Sequence, residues 1–166
     1  MTTNKLINSY QSSTKLDQNS WITPPDVADP ENLPRPLGWH VLVRPYPVAQ
    51  NREKSSIYMP DAELDFLNHI TCIGRVVAIG DCAWNRTDHR NKDGEHFNWV
   101  EVGDFVSYPK NVGARRKFKG VSYVLLSDDD VVEHLTDPQV FDEGYYKIEI
   151  PQEHLEKYNT VYKKGE

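Results

Sequence analysis

The side chains best suited to chemistry are scattered along this chain. His69, Cys72, Cys82 and His89 are the only candidate metal set in the sequence, since zinc prefers imidazole and thiolate ligands. On an extended strand His69 and Cys72 point to opposite faces, and no CxxC or HxxxH pair supports them. Buried free cysteine is the favoured reading. Asp61, Glu63 and Asp65 imitate the start of a calcium loop, but Phe66 stands where glycine is needed and Cys72 where a bidentate glutamate is needed. Arg115, Arg116, Lys117 and Lys119 form a basic run. In a chain of net charge −6 this reads as a solvated hairpin, or as a partner for a neighbouring subunit's carboxylates, ahead of a nucleic-acid site. Ser127 with Asp130 suits a capping or turn role. The sequence contains no phosphate-binding loop, dinucleotide fingerprint or nucleophile elbow. The expectation is a protein with no catalytic residue, no metal site and no cofactor: a binding protein and not an enzyme.

The elements that position these residues follow from where the apolar residues fall. Only 38% of the 166 residues are hydrophobic, and the mean hydropathy is −0.68. A packed core therefore requires the apolar residues to be concentrated, and they are, between Leu33 and Leu135. That divides the chain into an extended N-terminal arm over 1–32, one domain over 33–136 and a C-terminal extension over 137–166. The arm is rich in Asn, Ser, Thr and Gln and interrupted by Pro24, Pro25 and Pro30, with Trp21-Ile22 as its one anchor. It is either packed on a partner or a disordered tail. Two cysteines are too few for a disulfide scaffold and read as reduced thiols. No apolar run reaches the 18 or so residues that span a bilayer, and MTTNKLINSYQSSTK lacks a signal-peptide core. These features favour a cytoplasmic protein with neither a membrane nor a nucleic-acid partner.

Within the domain the pattern is that of short strands. Leu37–Arg44 alternates, with Trp39, Val41 and Val43 on one face and Leu42 on the other. Pro45 and Pro47 stop it. Ile70–Ile79 is apolar on both faces except at Thr71 and Arg75, so it belongs at the centre, and Gly74 marks a bulge or sharp bend. Asn98–Glu101, Phe105–Tyr108 and Lys119–Leu126 are further strands, with turns at Gly103-Asp104 and Asp93-Gly94. Tyr145–Ile150 alternates as a strand, and Pro151–Tyr162 fits a short helix carrying Leu155, Tyr158 and Tyr162 on one side. An all-β barrel or sandwich is the natural architecture.

The connection from Val48 to His69 is anomalous. It runs about 20 residues, where connections above roughly 12–15 are uncommon and are usually functional or disordered. It presents Ile57-Tyr58-Met59 and then Pro60 in otherwise charged surroundings. Such a tripeptide either folds back on its own barrel or is held out for another protein.

Arg35-Pro36-Leu37, Val41-Leu42-Val43 and Ile57-Tyr58-Met59-Pro60-Asp61 together resemble the start of the GroES co-chaperonin family. Gly74-Arg75-Val76-Val77-Ala78-Ile79-Gly80 is similar to that family's G-x-V-x-A-V-G strand. Val102-Gly103-Asp104-Phe105-Val106-Ser107-Tyr108 is similar to its V-G-D turn and strand. Tyr123-Val124-Leu125-Leu126, followed by Asp129-Asp130-Val131-Val132, is similar to its closing strands. The likeness covers Leu33 to Leu135, in order. Departures are Ser55-Ser56 where the family has Gly-Gly, Trp39-His40 after RPL, and apolar Leu64, Phe66 and Leu67 in the return half of the loop.

The resemblance implies a small antiparallel β-barrel with a long mobile loop, a roof hairpin over Asp81–Trp99, and extended arms at both ends. It implies seven-membered rings in which first and last strands of neighbours pair. It also implies that Ile57, Tyr58 and Met59 contact the apical groove of a 60-kDa-type chaperonin ring. The leading expectation is a co-chaperonin-like ring protein that caps a chaperonin and assists folding. The long termini and atypical loop suggest a divergent, phage-encoded version acting in the host cytoplasm. The alternative is a structural virion protein, associated with capsid or tail, that keeps the barrel and laces its loop and arms onto neighbouring subunits. A ligand-binding barrel would instead need a pocket lined by convergent polar groups.

Overall fold

The computed structural model describes residues 21–47, 71–86, 92–136, 142–143, 146–147 and 150–156. Six strands form one antiparallel sheet: β1 (His40–Pro45), β2 (Ile73–Ile79), β3 (Phe105–Ser107), β4 (Ala114–Phe118), β5 (Val121–Ser127) and β6 (Glu133–His134), in the order β4-β5-β1-β2-β3-β6. Two short strands, β7 (Asp142–Glu143) and β8 (Tyr146–Lys147), pair separately, and residues 152–156 are helical. The sheet agrees with the mostly-β expectation.

The pleat sorts the side chains as the alternation predicts. Val41 and Val43 are fully buried with Val76, Val106, Val124 and Leu126 on the inner face, together with Trp84 and Tyr108. Leu42 lies in a second cluster on the outer face with Val121 and Tyr123. Trp39 is the exception. It precedes β1, is half exposed, and lies with its ring 5.3 Å from the Arg86 guanidinium.

Three local expectations are corrected. The register between β1 and β2 pairs Leu42 with Ala78 and then Val43 with Val76, so the bulge falls at Val77 and not at Gly74. Gly74 answers a different need, since a Cβ there would lie 2.4 Å from Val43 Cγ1 and 2.6 Å from the Arg44 carbonyl oxygen. Asn98–Glu101 is not a strand. Its polar groups are spent on a turn in which the Glu101 amide donates to Asp104 Oδ2 (2.8 Å) and the Asp104 amide to the Glu101 carbonyl (3.1 Å). Finally, Lys119 and Gly120 have φ of +48° and +81°, a two-residue turn between β4 and β5, so β5 starts at Val121. The basic run is therefore a hairpin: Arg115, Arg116 and Lys117 lie on edge strand β4, and Lys119 in its turn.

Both segments that flank the domain pack on the outer face of this sheet. Ile22 is buried, and Val27 and Leu33 rest against Leu42 and Tyr123. Thr23 is buried beside the hairpin, where its hydroxyl accepts from the Ser122 amide at 2.8 Å. At the other end Ile150 packs on the cluster of Tyr46, Ile73, Phe105 and Leu135, and Leu155 is buried. Burying one such aliphatic side chain contributes roughly 1.5–3 kcal/mol, enough to hold a short segment in place. The anchoring role of Trp21-Ile22 is shared by both residues: Trp21 packs against the inner-face cluster and Ile22 is buried, with Thr23 beside them.

Candidate functional site

The long connection leaves the sheet between β1 and β2, and its two ends are held side by side. Pro45 opposite Gly74 is the last register pair. Beyond it the Tyr46 amide donates to the Ile73 carbonyl (3.1 Å), and the Thr71 hydroxyl donates to the Tyr46 carbonyl (3.2 Å). Ile57, Tyr58 and Met59 lie in 48–70, outside the described residues, as do Asp61, Glu63, Asp65 and His69. What the structure does describe is the root from which they depart.

On one side of that root stand two cross-strand arginines, Arg44 of β1 and Arg75 of β2. Like charges directly opposite each other in a sheet repel, and Arg44 is only 2% exposed. Asp29 resolves the conflict. Its Oδ1 accepts from Arg44 Nη1 (3.0 Å) and from the Tyr123 hydroxyl (2.7 Å), and its Oδ2 accepts from Arg75 Nη2 (2.6 Å). Arg44 Nη2 also donates to the Pro24 carbonyl at 2.9 Å. Arg75 Nε is buried without an acceptor among the described residues, so Asp29 carries that guanidinium. Burial, and then the bond to Asp29, push the Tyr123 phenol above its ordinary pKa.

Further along the root is Tyr46, itself buried. Its ring meets Phe105 at 5.3 Å and the edge of His154 at 5.9 Å. Its hydroxyl lies 2.5 Å from His154 Nδ1. His154 Nε2 lies 3.9 Å from the Glu153 carboxylate. Burial is the main cause that pushes Tyr46 up to about 12. Arg44 and Tyr46 are two residues apart along the chain, so both side chains fall on the same face of the sheet.

A second polar centre sits away from the root. Asp128, at 0% exposure, accepts from the Trp84 amide (2.8 Å), from Arg86 Nη2 (2.7 Å) and from the Asp129 amide (2.9 Å). Arg86 also pairs with Asp129, and the Trp84 indole donates to the Asp128 carbonyl at 3.2 Å. Trp84 stacks on Trp99, centroids 6.1 Å apart, which joins the two ends of the 81–99 excursion. Ser127 and Asp130 play the capping role expected, with the Ser127 amide donating to Asp130 Oδ2 at 3.2 Å. A turn occurs at 92–94, with Gly94 at φ +78°.

Of the scattered candidates, Cys72 is half-buried against the core and Cys82 is exposed, neither in a disulfide among the described residues, while His89 lies outside them. Among the described residues no three acidic, histidine or cysteine side chains are grouped to hold a metal. Sequence reasoning missed Asp29, Asp128 and His154. A signal for the first was present: Arg44 and Arg75 interrupt two otherwise apolar strands and demand a counter-charge.

The comparisons agree with this architecture. Residues 34–134 match the protein family described as chaperonin 10 Kd subunit. The chain is 30% identical over 98 residues to a protein named co-chaperonin GroES from Syntrophomonas wolfei subsp. wolfei, covering 59% of this chain and 93% of that protein. Asp29 and His154 both lie outside the matched range, whereas Arg44, Tyr46, Arg75 and Asp128 lie within it. This chain, with its long connection between β1 and β2, belongs to the chaperonin 10 family, whose members are non-enzymatic co-chaperonins.

Proposed function

We propose that the protein caps a ring chaperonin by docking Ile57, Tyr58 and Met59. The observation that carries this reading is the family match over 34–134, which spans β1, β2 and the whole connection between them. The family generally implies a chaperonin partner and a seven-membered ring. A loop that orders on docking loses entropy, so each contact is weak. Several loops on one ring restore tight binding by avidity. Control of capture and release then rests with the partner, whose nucleotide states must differ in affinity for the loop. Among the described residues β4 and β6 are the two edge strands of the sheet. Closure into a barrel and pairing with neighbouring subunits are the part of this proposal that would cover them. The virion-assembly alternative needs arms that reach other subunits. Trp21–Leu33 instead packs against its own sheet.

The test is a pull-down with an ATP-cycling chaperonin, comparing the native chain with Ile57→Ser/Tyr58→Ser/Met59→Ser. Nucleotide-dependent capture that the triple variant loses is the expected result. A folded native chain that is not captured would end the cap reading.

A further inference from the structure

Two segments outside the family-matched range end at the same place. Asp29 reaches the sheet from the N-terminal side and ties Arg44 of β1 to Arg75 of β2. His154 reaches it from the C-terminal side and meets the hydroxyl of Tyr46, two residues further along. Each contact falls within two residues of Pro45–Gly74, the last pair before the chain departs into 48–70.

We infer that the two flanking segments form a brace on the root of the loop, with Asp29 and His154 as positioning residues that fix how the loop leaves the sheet. The arginine pair is a built carboxylate site. It offers two guanidiniums and the Tyr123 hydroxyl, and its occupant is the chain's own Asp29. Tyr46 is held at its amide by Ile73, at its carbonyl by Thr71 and at its hydroxyl by His154, so its backbone and side chain are fixed together. A root held in this way removes from the loop the freedom to swing as a whole, leaving only its internal freedom to be lost on docking. The departures noted in the loop itself, such as Ser55-Ser56 for Gly-Gly, act in the same direction.

This inference rests on the loop being the docking element, and the experiment separates the two ideas. Hydrogen–deuterium exchange on the full chain reads the Tyr46 amide, which closes the root on Ile73. Asp29→Asn keeps the size but loses the charge. His154→Phe keeps an aromatic ring but loses the hydrogen-bonding nitrogen, and it stands clear of the arginine pair should Asp29→Asn fold poorly. The Tyr46 amide is expected to exchange at least about tenfold faster in each variant, as loss of a charged or buried hydrogen bond implies. Amides of β5, which report any global loss, should accelerate less than Tyr46. Unaltered Tyr46 exchange in both variants overturns the brace, as does equal acceleration in β5, which reports general destabilisation. The second readout is affinity for the ATP-cycling chaperonin with Ile57-Tyr58-Met59 intact. Several-fold weaker capture of both variants supports the positioning role, and capture equal to the native chain overturns it. A native chain that is not captured at all defeats the cap reading, while the exchange result still decides the brace.

Discussion

The loop root and the 81–99 excursion are each organised by one aspartate, but the two aspartates enter from different places. Asp128 lies in the family-matched range, directly after β5, and its partners Arg86, Trp84 and Asp129 lie in that range too. It is wholly buried and gathers mostly backbone donors around one guanidinium. Asp29 comes from outside the range, is partly exposed, and among the described residues is held by side-chain donors: two guanidiniums and the Tyr123 hydroxyl. One lies within the matched range; the other reaches it from a flanking segment. A buried carboxylate satisfied by amides serves local architecture. A carboxylate that neutralises paired cations across two strands governs how those strands stay together.

The largest effects should fall on this contrast. Asp128→Ala strands the buried Trp84 amide and removes the Arg86 pair, and should cost about 4 kcal/mol in urea unfolding. Asp29→Ala should cost less, about 3 kcal/mol, since water reaches the vacated position. Arg75→Met added to Asp29→Ala should return part of that loss, because it removes one of the uncompensated cations; no comparable rescue of Asp128→Ala is expected from Arg86→Met. If both losses are equal and neither is rescued, the contrast fails.

A smaller effect appears at high pH. The Tyr46 phenol ordinarily titrates near 10 and is pushed up to about 12 in the fold. Below pH 10 both folded and unfolded chains keep the proton. Between about pH 10 and 12 the unfolded chain releases it and the folded chain does not, so stability falls by roughly 2 kcal/mol across that window. In Tyr46→Phe that component of the slope should vanish, as read from denaturant midpoints at matched pH. The smallest effect belongs to the surface of the same arm. Arg115 lies with its guanidinium 5.6 Å from the Trp21 ring, and Arg115→Ala should shift stability by only about 0.5 kcal/mol.

How much of this is readable in the sequence depends on the range of the interaction. The alternation of Val41 and Val43 against Leu42 is a period-two signal, and the strands follow from it. The capping pair Ser127 and Asp130 is three residues apart and is readable too. The turn over 98–104 is not, because Trp99 is fixed by a stack on Trp84 and Asp104 by a turn that resembles a strand in composition. The bulge at Val77 escapes because a glycine nearby offers a better-looking cause. The root is the least readable part. Asp29 and Asp26 look alike in a polar arm, and only the fold brings one of them to Arg44, Arg75 and Tyr123. Ile57, Tyr58 and Met59, drawn from the family resemblance, stand outside the described residues.

The reach of those contacts has a consequence for how the protein is made. Asp29 is 94 residues from Tyr123, and Thr23 is 99 from Ser122. At the 5–20 residues per second typical of synthesis, Asp29 has left the peptidyl-transferase centre roughly 5–20 s before Tyr123 is joined to the chain. Through that interval Thr23 and Asp29 have no site to occupy. A continuous apolar run left waiting would seek out other nascent chains, whereas Trp21–Leu33 separates its few apolar side chains with Pro24, Pro25, Pro30, Asp26, Asp29 and Glu31. The polar composition that makes the arm look dispensable on paper is what lets it arrive late, as the first described segment translated and among the last to be seated.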